Sequence, residues 1–144
     1  MENSVTAHIF EILLLEDSPA DVYLFRQALN LAGVVYKLTV IADGAEGIEF
    51  ARRQGRYAET PIPDLAVLDL NLPKVSGSSV LEAMRQNKDL ERVPVFIMSS
   101  SAEAHEQAIA RDLGIERYIT KPMNLEDYMQ IGNVVKDSLT RNAA

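Results

Sequence analysis

Cysteine is absent from the 144 residues, which excludes disulfides and thiolate metal sites. Long hydrophobic runs are missing too: no apolar stretch reaches the roughly 20 residues a bilayer-spanning helix needs. The start, Met1-Glu2-Asn3-Ser4, lacks the basic residues and apolar core of a signal peptide, so a cytoplasmic location is expected. Positive charge is in short supply. Fourteen Lys and Arg face 21 Asp and Glu, and the net charge of −7 argues against a nucleic-acid surface or an anionic membrane as partner. The plain alternative is that this acidity serves solubility. The glycine-rich signatures G-x-x-x-x-G-K-[ST], G-x-G-x-x-G and G-x-S-x-G do not occur, so nucleotide binding and serine hydrolysis lose their usual signals. His8 and His105 lack metal-ligand spacing and are expected to be solvated. No internal repeat or low-complexity segment interrupts the chain.

What remains is the composition of an ordinary globular domain, 47% hydrophobic and 24% charged, long enough to bury a core without staples. Four short apolar runs stand out by how they end. Ile12-Leu13-Leu14-Leu15 meets Glu16-Asp17, and Leu65-Ala66-Val67-Leu68 meets Asp69. Val95-Phe96-Ile97-Met98 meets Ser99, and Tyr118-Ile119-Thr120 meets Lys121-Pro122. Short apolar runs separated by helical patterns predict buried parallel strands. Ligands of an open parallel sheet bind at the carboxyl ends of its strands. One pocket would then gather three acids, a hydroxyl and an ammonium, groups suited to a divalent metal and a phosphoryl group.

The rest of the pattern fills in around these runs. Residues 1–8 read as a loose lead-in before a first strand at Glu11–Leu15. Ser18 caps a first helix with Pro19 at its first position, Val22, Phe25, Ala28, Leu29 and Ala32 inward, and Gly33 as its stop. Tyr36–Ile41 is a second strand. Asp43-Gly44 opens a second helix to about Arg53, with Ala45, Ile48 and Ala51 inward, and Gln54–Asp64 is a surface loop. A third helix from Ser76 carries Val80, Leu81 and Met84. A fourth, Glu103–Leu113, has a thin apolar face of Ala104, Ala108, Ile109 and Leu113 and ends at Gly114. The fifth strand is Arg117–Thr120. A fifth helix spans Leu125–Leu139 with Leu125, Tyr128, Met129, Val135 and Leu139. Five strands alternating with five helices predict a doubly wound α/β sheet in one domain, with nothing left over for a second.

Each pocket residue has a blander reading. Glu16 and Asp17 could merely favour the positive end of the first helix, but Ser18 already supplies a cap, which frees Asp17 for a second role. Asp69 resists dismissal, because a carboxylate directly after four apolar residues of a central strand is costly unless paired or metal-bound. Hard oxygen ligands suit magnesium. Ser99, followed by Ser100 and Ser101, reads on its own as a polar loop, and Lys121 on its own as a solvated lysine. The Lys121-Pro122 junction ends a strand and is a candidate for a cis peptide bond. Tyr118 reads as either a core aromatic with a wet hydroxyl or a mobile one.

Together these residues resemble the receiver domain of bacterial two-component response regulators, typified by the chemotaxis receiver. The likeness runs from about residue 9 to 139. It rests on Leu15-Glu16-Asp17, on Asp69-Leu70-Asn71-Leu72-Pro73 followed by Gly77, on Ser99, and on Tyr118-Ile119-Thr120-Lys121-Pro122. The resemblance implies a flavodoxin-like five-stranded sheet of order 2-1-3-4-5. It implies that Asp69 accepts phosphate from a sensor histidine kinase. It also implies Mg²⁺, for which Mn²⁺ could substitute, held by Asp17, Asp69, the Asn71 carbonyl and, through water, Glu16. Ser99 would hydrogen-bond the phosphoryl group, Lys121 would pair with it, and Tyr118 would turn inward. The output surface would be the fourth helix, fifth strand and fifth helix, open to a protein target or a second copy.

Departures from the family pattern are Glu16 for the commoner aspartate, Ser99 for threonine, and Ser100 for alanine, a change that would slow access to the acyl phosphate. Asp17-Ser18-Pro19-Ala20-Asp21, the long loop before Pro63-Asp64-Leu65, the Asp69-Leu70-Asn71-Leu72-Pro73 run and the Ser99-Ser100-Ser101 triplet look like the stand-alone regulators that accompany bacterial phytochromes. Two other readings compete. An aspartyl-nucleophile phosphatase would need a second acid where Asn71 stands. A phosphate-independent interaction module would have no use for intact Asp17, Asp69, Ser99 and Lys121. The chain is therefore expected to phosphorylate and dephosphorylate itself rather than turn over external substrates.

Overall fold

Two apolar cores, one on each face of a single parallel sheet, account for the alternation along the strands. The computed structural model describes residues 8–100 and 104–143. The strands are Phe10–Leu15 (β1), Tyr36–Ile41 (β2), Leu65–Leu68 (β3), Val95–Ser99 (β4) and Arg117–Thr120 (β5), in the expected order β2-β1-β3-β4-β5. The helices are Pro19–Leu31 (α1), Gly44–Ala51 (α2), Gly77–Gln86 (α3), Ala104–Asp112 (α4) and Leu125–Ala143 (α5). Leu13, Leu15, Ala66, Leu68, Val95 and Ile97 join Phe50 of α2, Leu81 of α3 and Ala110 of α4 in one core. Ile12, Leu14, Leu65, Val67, Phe96 and Met98 join Phe25 of α1 and Tyr128 and Val135 of α5 in the other. Side chains alternate across a strand, so each central strand feeds both cores. Each fully buried Leu or Ile contributes about 1.5–3 kcal/mol.

Register sets the place of the site. Leu15 pairs with Leu68, Leu68 with Ile97, and Ser99 with Thr120. The residues that follow these pairs, Glu16, Asp69 and Lys121, therefore emerge along one edge of the sheet.

Helix ends follow the local chemistry. The Ser18 hydroxyl accepts the Asp21 N–H, Asp43 accepts from Glu46, and Ser76 accepts from Ser79. Gly33 (φ +76°) and Gly114 (φ +72°) take the left-handed turn past α1 and α4 that a side chain would resist. At the end of α3 the Arg85 guanidinium donates to the carbonyls of Leu113 (2.9 Å), Val93 (2.9 Å), Glu91 (3.1 Å) and Gly114 (3.2 Å). One side chain thus fastens α3 to the end of α4 and to the lead-in of β4.

Several expectations need correction. The inward face of α2 is Gly44, Gly47, Phe50 and Ala51; Ala45 is exposed and Ile48 only half-buried. The reason is close approach: a Cβ at Gly44 would lie 1.7 Å from the Val75 carbonyl oxygen, and one at Gly47 would lie 2.9 Å from Val80. The 54–64 segment is less superficial than a plain loop, since the 3₁₀ turn Gly55–Tyr57 buries Tyr57 edge-on against Phe50. β5 is a half-exposed edge strand rather than a buried one. α5 runs past Leu139 to Ala143, while Leu125 is exposed and Ile131 and Gly132 join the buried face. On α4, Ala108 and Ile109 are exposed, Leu113 is half-buried, and Ala110 is buried. The Lys121–Pro122 peptide is not cis; the trans isomer remains the default even before proline. His8 is exposed beside Phe10. The lead-in 1–7, Ser101, the start of the fourth helix at Glu103 and the side chains of Ala104 and His105 lie outside the described residues. Among the described residues no helix is long and apolar enough to cross a membrane.

Candidate functional site

β3 is the middle strand, so Asp69 at its end is surrounded by protein on all sides but one, and it is buried. Its two oxygens have separate partners. Oδ1 accepts the Asn71 N–H at 2.9 Å, and Oδ2 accepts from Lys121 Nζ at 3.0 Å. The chain leaves Asp69 through a tight approach: a Cβ on Gly77 would sit 2.2 Å from the Asp69 carbonyl oxygen, so only glycine lets α3 begin there. Between them, Lys74 takes a left-handed conformation (φ +70°) and faces Asp43 at 3.6 Å.

Lys121 reaches the site from the end of β5, its backbone N–H held by the Ser99 carbonyl at 2.8 Å. Its ammonium donates to Glu16 Oε1 at 2.7 Å and Asp21 Oδ2 at 2.9 Å as well as to Asp69. Burial alone would lower the lysine pKa, but hydrogen bonds to three carboxylates outweigh it and hold the group well above the ordinary lysine value. Glu16 is also buried, and its carboxyl is pushed up. Desolvation is the largest cause, opposed by Lys121 and by the Ser18 N–H at 3.1 Å. Tyr128 of α5 is raised by burial and then by the Asp21 carboxylate, so its hydroxyl stays protonated; it donates to the Asp21 carbonyl at 3.3 Å.

Asp17 is the exposed member of the set. Glu16, Asp17 and Asp69 each offer a carboxylate oxygen within 4.8 Å of the others. Formally, four carboxylates (Glu16, Asp17, Asp21, Asp69) against one ammonium leave three negative charges. Hard oxygen donors clustered in this way, short of positive charge, fit a divalent cation such as Mg²⁺ that keeps several waters. Mn²⁺ takes the same donors.

Ser99 is fully buried, and its hydroxyl accepts from the Asn71 side-chain amide at 3.1 Å. Ser100 beside it is exposed. Tyr118 is half-buried and packs against the core that holds Ile97 and Ala110. The sequence-predicted residues Glu16, Asp17, Asp69, Asn71, Ser99 and Lys121 thus converge, with Ser100 and Tyr118 at the margin. Two contacts were missed. The Asn71 side chain bridges to Ser99, where the sequence offered only its backbone carbonyl. Asp21 reads as a helix-start acid, yet its carboxylate lies against Lys121. The available signal was its spacing of four residues from Asp17, which places both acids at the same end of α1.

An acidic cluster and a half-buried lysine at the carboxyl edge of a 2-1-3-4-5 sheet define a class, and the sequence comparison agrees: residues 12–132 match the response regulator receiver domain, and the chain belongs to that family. Response regulator Rcp1 of Synechocystis is 38% identical over 120 residues, covering 83% of this chain and 82% of Rcp1. The crystal structure of the phosphorylated cyanobacterial phytochrome response regulator RcpA has a TM-score of 0.86 at 34% identity, covering 95% of this chain and 98% of RcpA. The Mn²⁺-bound form of Rcp1 has a TM-score of 0.81 at 35% identity, covering 89% of this chain and 92% of that one. The narrower likeness to phytochrome-associated regulators is borne out by these relatives.

Proposed function

We infer that the chain is a phosphorylation-dependent response regulator in which Asp69 is the phosphoacceptor. The observation that carries this reading is the buried Asp69 carboxylate, held by Lys121 at 3.0 Å beside the Glu16–Asp17 pair. An Asp69 oxygen attacks the phosphorus of a kinase phosphohistidine. The new O–P bond forms as the N–P bond breaks, and its electron pair leaves with the imidazole. Lys121 stabilises the oxygens of the group in transfer, since catalysis here is positioning plus electrostatics. Asp17, Asp69, the Asn71 carbonyl and, through water, Glu16 would hold Mg²⁺ or Mn²⁺, and the cation would offset repulsion between the carboxylate and the incoming phosphoryl group. The Mn²⁺ in the Rcp1 structure and the phosphorylated state of RcpA support both points.

Ser99 then donates to the phosphoryl group in place of its contact with Asn71. Exposed Ser100 narrows the approach of water. Tyr118 moves with Ser99 and repacks α4, β5 and α5, so the phosphate biases a two-state face. That face engages protein, a target or a second copy of the chain, and not nucleic acid. A phytochrome-type histidine kinase is the expected donor, by likeness to RcpA. The test is intact mass after incubation with acetyl phosphate and Mg²⁺. Wild type gains one phosphoryl group, with acetate as the leaving group, and Asp69→Asn gains none. Equal labelling of the Asn variant would refute the reading.

A further inference from the structure

Lys121 has one carboxylate more than the proposed chemistry requires. Glu16 and Asp69 belong to the acidic cluster, but Asp21 does not. Asp21 stands third in α1, where a capping acid would turn back to the backbone N–H of Ser18. That N–H is already taken by Glu16 Oε2 at 3.1 Å. The Asp21 carboxylate turns instead to Lys121 at 2.9 Å, and its carbonyl receives the Tyr128 hydroxyl at 3.3 Å. One residue of α1 therefore touches the ammonium with its side chain and α5 with its backbone.

An ammonium has three protons, and three carboxylates take them all. Phosphorylation takes the charge off the Asp69 carboxylate and moves the acceptor outward onto the phosphoryl oxygens, so Lys121 can follow it only by loosening its hold on Glu16 or Asp21. The Glu16 side chain is 5% exposed and its other oxygen is held by the Ser18 N–H, whereas that of Asp21 is 26% exposed. Leaving a buried carboxylate unpaired costs far more than returning a partly exposed one to solvent. Asp21 is the partner that yields. We propose that Asp21 is a positioning residue that competes with the phosphoryl group for Lys121, so that capture of the ammonium at Asp69 releases the α1–α5 seam at Asp21 and Tyr128. The proposal rests on the reading of Asp69 as phosphoacceptor.

The experiment titrates acetyl phosphate at saturating Mg²⁺ with wild type, Asp21→Asn and Asp21→Glu, and reads steady-state labelling by intact mass. Without the competing charge, Asp21→Asn should reach half-maximal labelling at roughly three- to tenfold less acetyl phosphate, the scale of a partly exposed charge-assisted hydrogen bond. Asp21→Glu should return towards wild type. Amide exchange adds a readout that a merely structural role would not move. Phosphorylation should raise exchange around residues 21 and 128 in wild type, and in Asp21→Asn that exchange should be raised beforehand and stay unchanged on phosphorylation. If wild type is labelled at Asp69 and Asp21→Asn needs as much acetyl phosphate or more, the competition is overturned and the receiver chemistry stands. If wild type takes no label, the phosphoacceptor reading falls and this inference with it.

Discussion

The charge balance of the site is decided at Lys121. Its side chain is 12% exposed and is the shared partner of buried Glu16 and buried Asp69. Removing one partner of a buried ion pair leaves the others uncompensated and costs about 3–5 kcal/mol. Lys121→Ala should therefore lower stability by about 3 kcal/mol without divalent ions, and Mg²⁺ should restore part of the loss by supplying positive charge to the same carboxylates. Urea denaturation with chelator and with Mg²⁺ measures both. Equal midpoints for wild type and variant in chelator would show that the ammonium does not carry this balance. Asp69 was legible in the sequence because a carboxylate directly after an apolar central strand demands a partner, and Lys121 through its junction with Pro122 and the resemblance to receiver domains. Asp21 was hidden by its helix-start position, where an acid already has an ordinary use.

Among the elements, α5 shows most plainly what apolar patterning can and cannot reveal. Gly132 is buried where α5 crosses α1, and a Cβ there would lie 2.0 Å from the Ala28 carbonyl oxygen. In an exposed helix interior glycine to alanine gains up to about 1 kcal/mol. Here overpacking dominates, and Gly132→Ala should cost about 1–3 kcal/mol. A gain in the urea midpoint would show that the seam is looser than described. Glycines carry no apolar signal, which is why Gly132 escaped notice and why the inward face of α2, built on Gly44 and Gly47, was misplaced. β2 and β3, in contrast, span Tyr36–Ile41 and Leu65–Leu68, the bounds that the sequence pattern predicts. The last turn of α5 has a polar cause: Ser138 (2.6 Å), Arg141 (3.0 Å) and Asn142 (3.1 Å) all donate to Glu116 just before β5. Burial pushes the Glu116 carboxyl up, but these three donors outweigh it and hold it below the ordinary 4.5. A depressed carboxylate contributes stability that is present above its unfolded value and lost as pH falls through the folded one. Glu116→Gln should thus be less stable than wild type at neutral pH, and the gap should close on acidification below about 4.5. A gap independent of pH would remove the ionised carboxylate from the account.

For the molecule as a whole, the central claim is that the acidic edge of the sheet is a place for covalent phosphate and that its chemistry is confined to Asp69. The net charge of −7 repels a phosphate backbone. The doubly wound sheet and the convergence of the strand ends were readable from the alternation of apolar runs with helical patterns, and the strand order from the resemblance to receiver domains. The clamp of Arg85 across α3, α4 and β4 was not, since carbonyl partners leave no trace in sequence. The most direct test is chemical trapping. Phosphorylated protein, made with acetyl phosphate and Mg²⁺, is reduced with borohydride, which converts an aspartyl phosphate into homoserine, and the digest is sequenced by mass spectrometry. The account predicts homoserine at position 69 and unmodified aspartate at 17 and 21; homoserine elsewhere, or phosphate that resists reduction on a serine, would contradict it.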